Sequence, residues 1–295
     1  MTTPFGPEER ACASALIDLA IAEDVGAGDI TAEAIFGPDQ QSRAAFVARS
    51  AGVVAGLPVL ALLAERFDLR EGLETFLDDG QAVGRGTRIA VVAGSTRSIL
   101  AMERTALNFL QRLSGVASLT ARFVAEIAGT GARIFDTRKT TPGWRALEKY
   151  AVRCGGGHNH RMGLHDAILI KDNHLAALSG EADPIGMALR MAHRSAPGAK
   201  FVEIEVDSLA QFDRVILGEA DIILLDNLAP GEVAEAVRRR DDLAPKFLLE
   251  ASGGIDLSTV RALAETGVDR ISVGALTHSA PALDIGLDYD GTPSE

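Results

Sequence analysis

From residue 131 onward the chain is a succession of short apolar runs: ARIFD (132–136), AILIK (167–171), FVEIEV (201–206), DIILLD (221–226), KFLLEA (246–251) and DRISVG (269–274). Runs of this length, separated by polar or helix-period stretches, predict repeated βα units and a parallel sheet. Helices are expected between them at 186–194, 208–217, 231–240 and 258–266, with another inside 143–152. Each run ends at, or just before, a residue able to do chemistry: Asp136 followed by Thr-Arg-Lys, Lys171, Glu203 with Glu205, Asp226, Ser252-Gly253-Gly254, and Gly274. In a (β/α) barrel the carboxyl ends of all strands converge on one mouth, where the site lies. Six strands are short of eight, so the expectation is a barrel-like domain that is incomplete.

The part before residue 131 mixes helices and strands. Residues 8–24 have apolar positions at helical spacing and stop before the Gly26–Gly28 turn. RAAFVARS (43–50), a helical stretch at 57–67, an Asp79-Gly80 turn and the β-branched TRIAVVAG (87–94) follow. Residues 96–128 read as one long helix, or as two separated by a break at Gly115.

Composition excludes several classes. With 47% hydrophobic and 24% charged residues in 295, the chain has enough apolar material for a sizeable core, and disorder, collagen and coiled coil are ruled out. Two cysteines, Cys12 and Cys154, make no disulfide framework, and the amino terminus lacks the basic and apolar regions of a leader, so a cytoplasmic location is expected. The most apolar stretch, 52–64, is short and contains Pro58, so no membrane span is expected. A net charge of −12 disfavours nucleic acid as a partner.

Between Arg133 and His174 the sign reverses: eight basic residues stand against four acidic ones, and four of the six histidines lie there. A solvated basic face is one explanation. The other is a pocket for a small, multiply charged anion, since Arg138, Lys139, Arg161 and Lys171 supply the guanidinium forks and ammonium points that carboxylates and phosphates require. Glu203 and Glu205 are two apart on one strand and point to one face, the barrel interior if Ile204 and Val206 face the helices. With Asp226 they could hold Mg²⁺, bind vicinal ribose hydroxyls or stabilise a developing cation; a salt bridge to Lys171 or the arginines is the alternative. Ser252, Gly253, Gly254 and Gly274 put backbone amides where barrels commonly bind a phosphate, unless these glycines only make tight turns. Rossmann and P-loop motifs are missing, the His158-Asn159-His160 string has no neighbouring ligands that complete a zinc set, and Cys154 reads as a packing residue.

Several blocks resemble the quinolinate phosphoribosyltransferase family: TRKTTPGWRALEKYAV (137–152), GGGHNHRMGLHDAILIKDNH (155–174), VEIEVDS (202–208), ILLDN (223–227), EASGGI (250–255), and, nearer the amino terminus, LAIAEDVGAGDIT (19–31) and MERTALNFLQRLSGVAS (102–118). The resemblance implies a type II phosphoribosyltransferase-like α/β fold: an N-terminal mixed α/β sandwich (1–115), an incomplete (β/α) barrel (116–280), and a C-terminal segment (281–295) able to return to the first domain. It also implies a homodimer that joins quinolinate to phosphoribosyl pyrophosphate with Mg²⁺, releasing nicotinate mononucleotide, pyrophosphate and CO₂ in NAD synthesis. On that basis Arg138, Arg161 and Lys171, with His160, are the quinolinate clamp, and Arg104 completes the partner subunit's site. Lys139 lies near the pyrophosphate. Glu205 and Asp226 engage ribose hydroxyls or Mg²⁺, and Ser252, Gly253, Gly254 and Gly274, with His278 close in sequence, hold the 5′-phosphate. Trp144 and Ser118 depart from the family's usual aliphatic residue and threonine, and neither is an expected contact.

Two other classes compete: a Schiff-base lyase with Lys171 as nucleophile, and a non-catalytic sensor of a phosphoribosyl ligand. A related branch found with molybdate-transport genes shares the barrel and the RKT block, and the intact NHRMGLHD and LIKDNH strings disfavour it.

Overall fold

The computed structural model describes residues 3–196, 198–243 and 247–290. Helix α1 (Pro7–Asp24) opens with a proline and with Glu8 and Glu9 in its first turn, where the helix dipole favours negative charge; Glu9 Oε2 also accepts the Gly6 N–H at 2.9 Å. Asp29 caps α2 (Ile30–Ile35) by accepting from the amides of Thr31 and Ala32, each at 3.0 Å. There follow β1 (Gln41–Ala48), β2 (Gly52–Val53), α3 (Leu57–Arg66), β3 (Leu73–Thr75), β4 (Ala82–Val83), β5 (Arg88–Ser95) and α4 (Thr96–Glu126). Next come β6 (Arg133–Phe135), α5 (Arg145–Cys154), β7 (Ile168–Ile170), α6 (Asp172–Ala176), α7 (Pro184–Ser195), β8 (Val202–Val206) and α8 (Leu209–Val215). The chain ends with β9 (Ile222–Asp226), α9 (Pro230–Asp242), β10 (Leu248–Ser252), α10 (Val260–Ala264), β11 (Arg270–Ser272), α11 (Ala275–His278) and β12 (Ile285–Tyr289).

These elements form two compact units. One comprises Met1–Ala121, Thr140–Gly156 and Leu276–Glu295, the other Arg122–Lys139 and Gly157–Ala275. Neither is continuous in sequence: residues 140–156, which fall inside the expected 116–280 barrel segment, belong to the first.

The first unit holds an antiparallel sheet in the order β12-β1-β5-β3. Strand β12 pairs with β1 from Ala44 opposite Tyr289 to Ala48 opposite Ile285. Ala45, Val47 and Val91 pack together on the sheet, and Ile17, Leu60 and Leu63 are buried from the helices. Helix α3 begins at Gly56, whose φ of 111° and missing side chain leave it without a cap of its own. Asp79 supplies one from a distance: its carboxylate accepts from the amides of Gly56 at 2.8 Å and Leu57 at 3.1 Å, and from the Tyr150 hydroxyl at 2.7 Å. Of the two readings of residues 96–128, the single helix holds and there is no break at Gly115. Helix α4 runs unbroken, and a Cβ at Gly115 would come within 2.1 Å of the Pro281 carbonyl oxygen, so glycine serves close packing there.

The second unit holds six parallel strands in the order β6-β11-β10-β9-β8-β7. The predicted runs are all present; Lys246, which opens the KFLLEA run, lies outside the described residues, as do 291–295 of the C-terminal segment. Strands β6 and β7 are the two edges and do not pair, so the sheet stays open, the incomplete barrel that six strands imply. Register decides what faces where. Glu203 lies opposite Leu169 and Ile222, Glu205 and Glu250 opposite Leu224, Glu250 opposite Arg270, and Ser252 opposite Asp226 and Ser272. Because side chains alternate along a strand, all these residues share one face, while Ile204, Val206, Ile223, Leu225, Leu249 and Ile271 are buried on the other.

Candidate active site

The carboxyl ends of β6 to β11 bring charge to one edge of the second unit. Lys171 follows β7, and its ammonium pairs with the Glu205 carboxylate from β8, the salt bridge weighed above. Asp226 ends β9 and accepts from Asn227 Nδ2 at 2.7 Å. Asn227 takes a left-handed φ of 57°, which turns its amide to the Ser252 carbonyl at 2.8 Å. Gly253 follows at φ 101°, and a Cβ there would sit 2.2 Å from Asn227 Oδ1, so position 253 requires glycine. Gly274 comes two residues after the end of β11.

The 137–166 connection is built around Asp136, which is wholly buried at the end of β6. Its carboxylate accepts from Asn159 Nδ2 at 2.6 Å and from the His160 amide at 2.9 Å, and His158 bridges to Phe135 in parallel. The returning chain is thereby laid against the edge strand, with His160 and Arg161 turned inward. Arg161 is buried, and Nη1 donates to the Ala167 carbonyl at 3.1 Å. Burial and the Arg138 guanidinium lower its pKa. Asp166 fixes the GLHD turn by accepting from the Met162 amide at 2.8 Å and Lys200 Nζ at 2.7 Å. Lys139 donates its amide to Thr137 Oγ1 at 3.0 Å.

One step in from the strand ends lies a buried cluster. His160 Nε2 is 2.9 Å from Glu203 Oε2 and 3.5 Å from Glu250 Oε1; Arg270 Nε is 2.6 Å from Glu250 Oε2, and its guanidinium lies 3.8 Å over the Phe135 ring. Burial pushes both carboxyls up to about 7, and at Glu250 the charge of Glu203 adds to the rise. His160, Glu203 and Glu250 bring a nitrogen and two carboxylates within reach of one metal ion. Arg270 already supplies positive charge to Glu250, which makes the set a self-compensated network. Sequence reasoning named Glu203 and passed over Glu250 and Arg270. The signal was present: each stands two residues before a strand-end serine, on the same face as Glu203.

Of the residues singled out from sequence, Arg138, Lys139, His160, Arg161, Lys171, Glu205, Asp226, Ser252, Gly253, Gly254 and Gly274 all belong to the second unit. Arg104, on α4, and His278, ending α11, belong to the first. Cys154 is buried, and burial pushes its thiol up to about 12, as suits a packing residue. Trp144 stacks on Phe109 at 4.8 Å, and Ser118 Oγ accepts the Val53 amide at 2.8 Å. No helix among the described residues is long and apolar enough to cross a membrane.

An open parallel α/β sheet with arginines, a lysine and carboxylates gathered at its carboxyl ends defines the class: an incomplete (β/α)-barrel fold with its charged groups at the strand ends. Residues 29–114 match the family model of the quinolinate phosphoribosyl transferase N-terminal domain, and residues 116–288 that of its C-terminal domain. The chain belongs to the quinolinate phosphoribosyltransferase family. It is 44% identical to the nicotinate-nucleotide pyrophosphorylase [carboxylating] of Mycobacterium leprae, over 91% of this chain and 94% of that one. It is 43% identical to a probable enzyme of the same name from Bacillus subtilis, over 90% and 89%. Its fold matches the nicotinate-nucleotide pyrophosphorylase of Francisella tularensis with a TM-score of 0.86 at 38% identity, covering 95% of this chain and 96% of that one.

Proposed function

We propose that the chain transfers the phosphoribosyl group of phosphoribosyl pyrophosphate to quinolinate, forming nicotinate mononucleotide, pyrophosphate and CO₂, the step that commits quinolinate to NAD synthesis. The observation that carries this reading is a set of cations, Arg138, Arg161 and Lys171, on the sheet edge that also carries Glu205 and Asp226, in a chain whose relatives bear the carboxylating pyrophosphorylase name. Quinolinate is a dicarboxylate, and two guanidinium forks with an ammonium match its charge and planarity. His160 stands with this clamp, and Lys139 serves the leaving pyrophosphate.

The ring nitrogen attacks C1′ of the ribose as the C1′–O bond to pyrophosphate breaks, through a sugar with oxocarbenium character. Glu205 and Asp226 stabilise that positive charge or hold the vicinal hydroxyls, an electrostatic role realised as charge develops. The pyridinium so formed takes up the electron pair when the bond to the adjacent carboxylate breaks and CO₂ leaves, and the ring carbon then takes a proton. The amides of the Ser252-Gly253-Gly254 turn and Gly274 hold the 5′-phosphate.

Hard carboxylate oxygens on one sheet face suit Mg²⁺, and Lys171 on Glu205 favours contact through water or substrate over direct ligation. Asp226 and Glu205 would hold the ion, whose chemistry is to neutralise the pyrophosphate oxygens. A homodimer in which Arg104 of one copy completes the other's site, in the cytoplasm, fits the same reading. Purified protein given quinolinate, phosphoribosyl pyrophosphate and Mg²⁺ is expected to release pyrophosphate and CO₂ together, and to release neither with nicotinate. Pyrophosphate without CO₂, or turnover with another base alone, overturns the substrate; no release returns the sensor.

A further inference from the structure

The buried charges beneath Arg161 have no part in the reaction just described, yet they are costly to keep. Glu203 on β8 and Glu250 on β10 are fully buried on one sheet face, with β9 between them. An apolar pair would pack there at lower cost if filling space were the only requirement. What the two carboxylates have in common is His160: Nε2 lies 2.9 Å from one and 3.5 Å from the other. The opposite ring nitrogen, Nδ1, accepts the amide N–H of Arg161 at 2.8 Å. A neutral imidazole that accepts at Nδ1 carries its proton at Nε2, which is where the carboxylates wait. The remaining sides are also held, by Asp136 Oδ1 on the His160 amide at 2.9 Å and by the Phe201 ring, edge-on at 5.5 Å. Arg270 lies against Glu250 and between the rings of Phe135 and Phe201, which fixes the Glu250 side of the cluster.

We propose that Glu203 and Glu250 are positioning residues for quinolinate: they lock His160 as its Nε2–H tautomer, so that Nδ1 grips the Arg161 amide and holds that residue's guanidinium in the pose that receives the substrate carboxylate. This rests on the assignment of Arg161 to the quinolinate clamp. Without an acceptor at Nε2 the ring is free to turn or change tautomer, the Arg161 peptide loses its anchor, and recognition of the dicarboxylate suffers while that of phosphoribosyl pyrophosphate does not.

The test compares the wild-type enzyme with Glu203→Gln and Glu250→Gln, which keep shape and remove the charge. In Glu203→Gln, where the nearer charged acceptor becomes a neutral and weaker one, the KM for quinolinate is expected to rise about tenfold, with the KM for phosphoribosyl pyrophosphate unchanged. Glu250→Gln should give the same pattern with a smaller rise. Unchanged KM values in a folded variant, equal rises for both substrates, or a fall in kcat alone overturn the proposal. Nitrogen-15 NMR of histidine-labelled wild-type enzyme, with the His160 signals assigned through His160→Gln, gives a second readout that needs neither glutamate variant to fold. An Nε2–H tautomer is expected, and an Nδ1–H tautomer overturns the proposal. A wild-type enzyme that releases no CO₂ from quinolinate defeats the proposed function instead, and leaves the tautomer result to be judged on its own.

Discussion

Arg161 and Gly253 show two ways in which one residue can control a site. Arg161 is buried with its guanidinium against a backbone carbonyl, so much of the desolvation that binding an anion demands has already been met on folding. Arg161→Ala is expected to weaken quinolinate binding by about 1.5–3 kcal/mol through loss of a charge-assisted contact, measured by calorimetric titration of the folded variant. Unaltered affinity would remove Arg161 from the clamp. Gly253 acts through backbone shape. Its φ of 101° and the Asn227 Oδ1 that a Cβ would strike make Gly253→Ala destabilising by about 1–2 kcal/mol, and the displaced turn should raise the KM for phosphoribosyl pyrophosphate more than that for quinolinate. The candidacy of both residues was legible in the sequence, since a cation between histidines and a glycine pair after a strand are local signals. Their geometry was not, because the Ala167 carbonyl against Arg161 and the Asn227 side chain against Gly253 are placed by the folded chain, not by the residues next to them.

At the scale of elements, local preference and packing disagree at Gly115, and packing prevails. A glycine inside a 31-residue helix costs about 1 kcal/mol against alanine by propensity, so propensity alone predicts that Gly115→Ala stabilises. The Pro281 carbonyl 2.1 Å from the missing Cβ reverses the sign. The variant should unfold at lower denaturant, by about 1–3 kcal/mol, and a gain in midpoint would show that the two segments can separate without cost. The same principle explains what sequence could and could not tell about α4. Its apolar periodicity predicted the helix, whereas its continuity depends on a carbonyl about 166 residues further along the chain. The six parallel strands were legible because each is short, apolar and followed by a polar residue. The short α6 was not, as Asp172–Ala176 offers only five residues and no periodicity to detect.

At the scale of the whole molecule, the proposed exchange of Arg104 between two copies makes a quantitative prediction. Arg104→Ala and Lys171→Ala should each be inactive, and an equimolar mixture refolded together should regain about a quarter of wild-type activity, because half the dimers then carry one intact site of two. A mixture as inactive as its components would place Arg104 outside the partner's site. What the sequence determined by itself was the alternation of apolar runs and helices, hence a parallel sheet, and the identities of the charged groups at the strand ends, because both are encoded within a few residues of chain. Only the tertiary structure decided that the sheet stays open between β6 and β7, that residues 140–156 join the first unit, and that Glu203, Glu250, Arg270 and His160 meet. Those facts depend on strand order and register, which arise from pairing between segments tens of residues apart and leave no mark in any one of them.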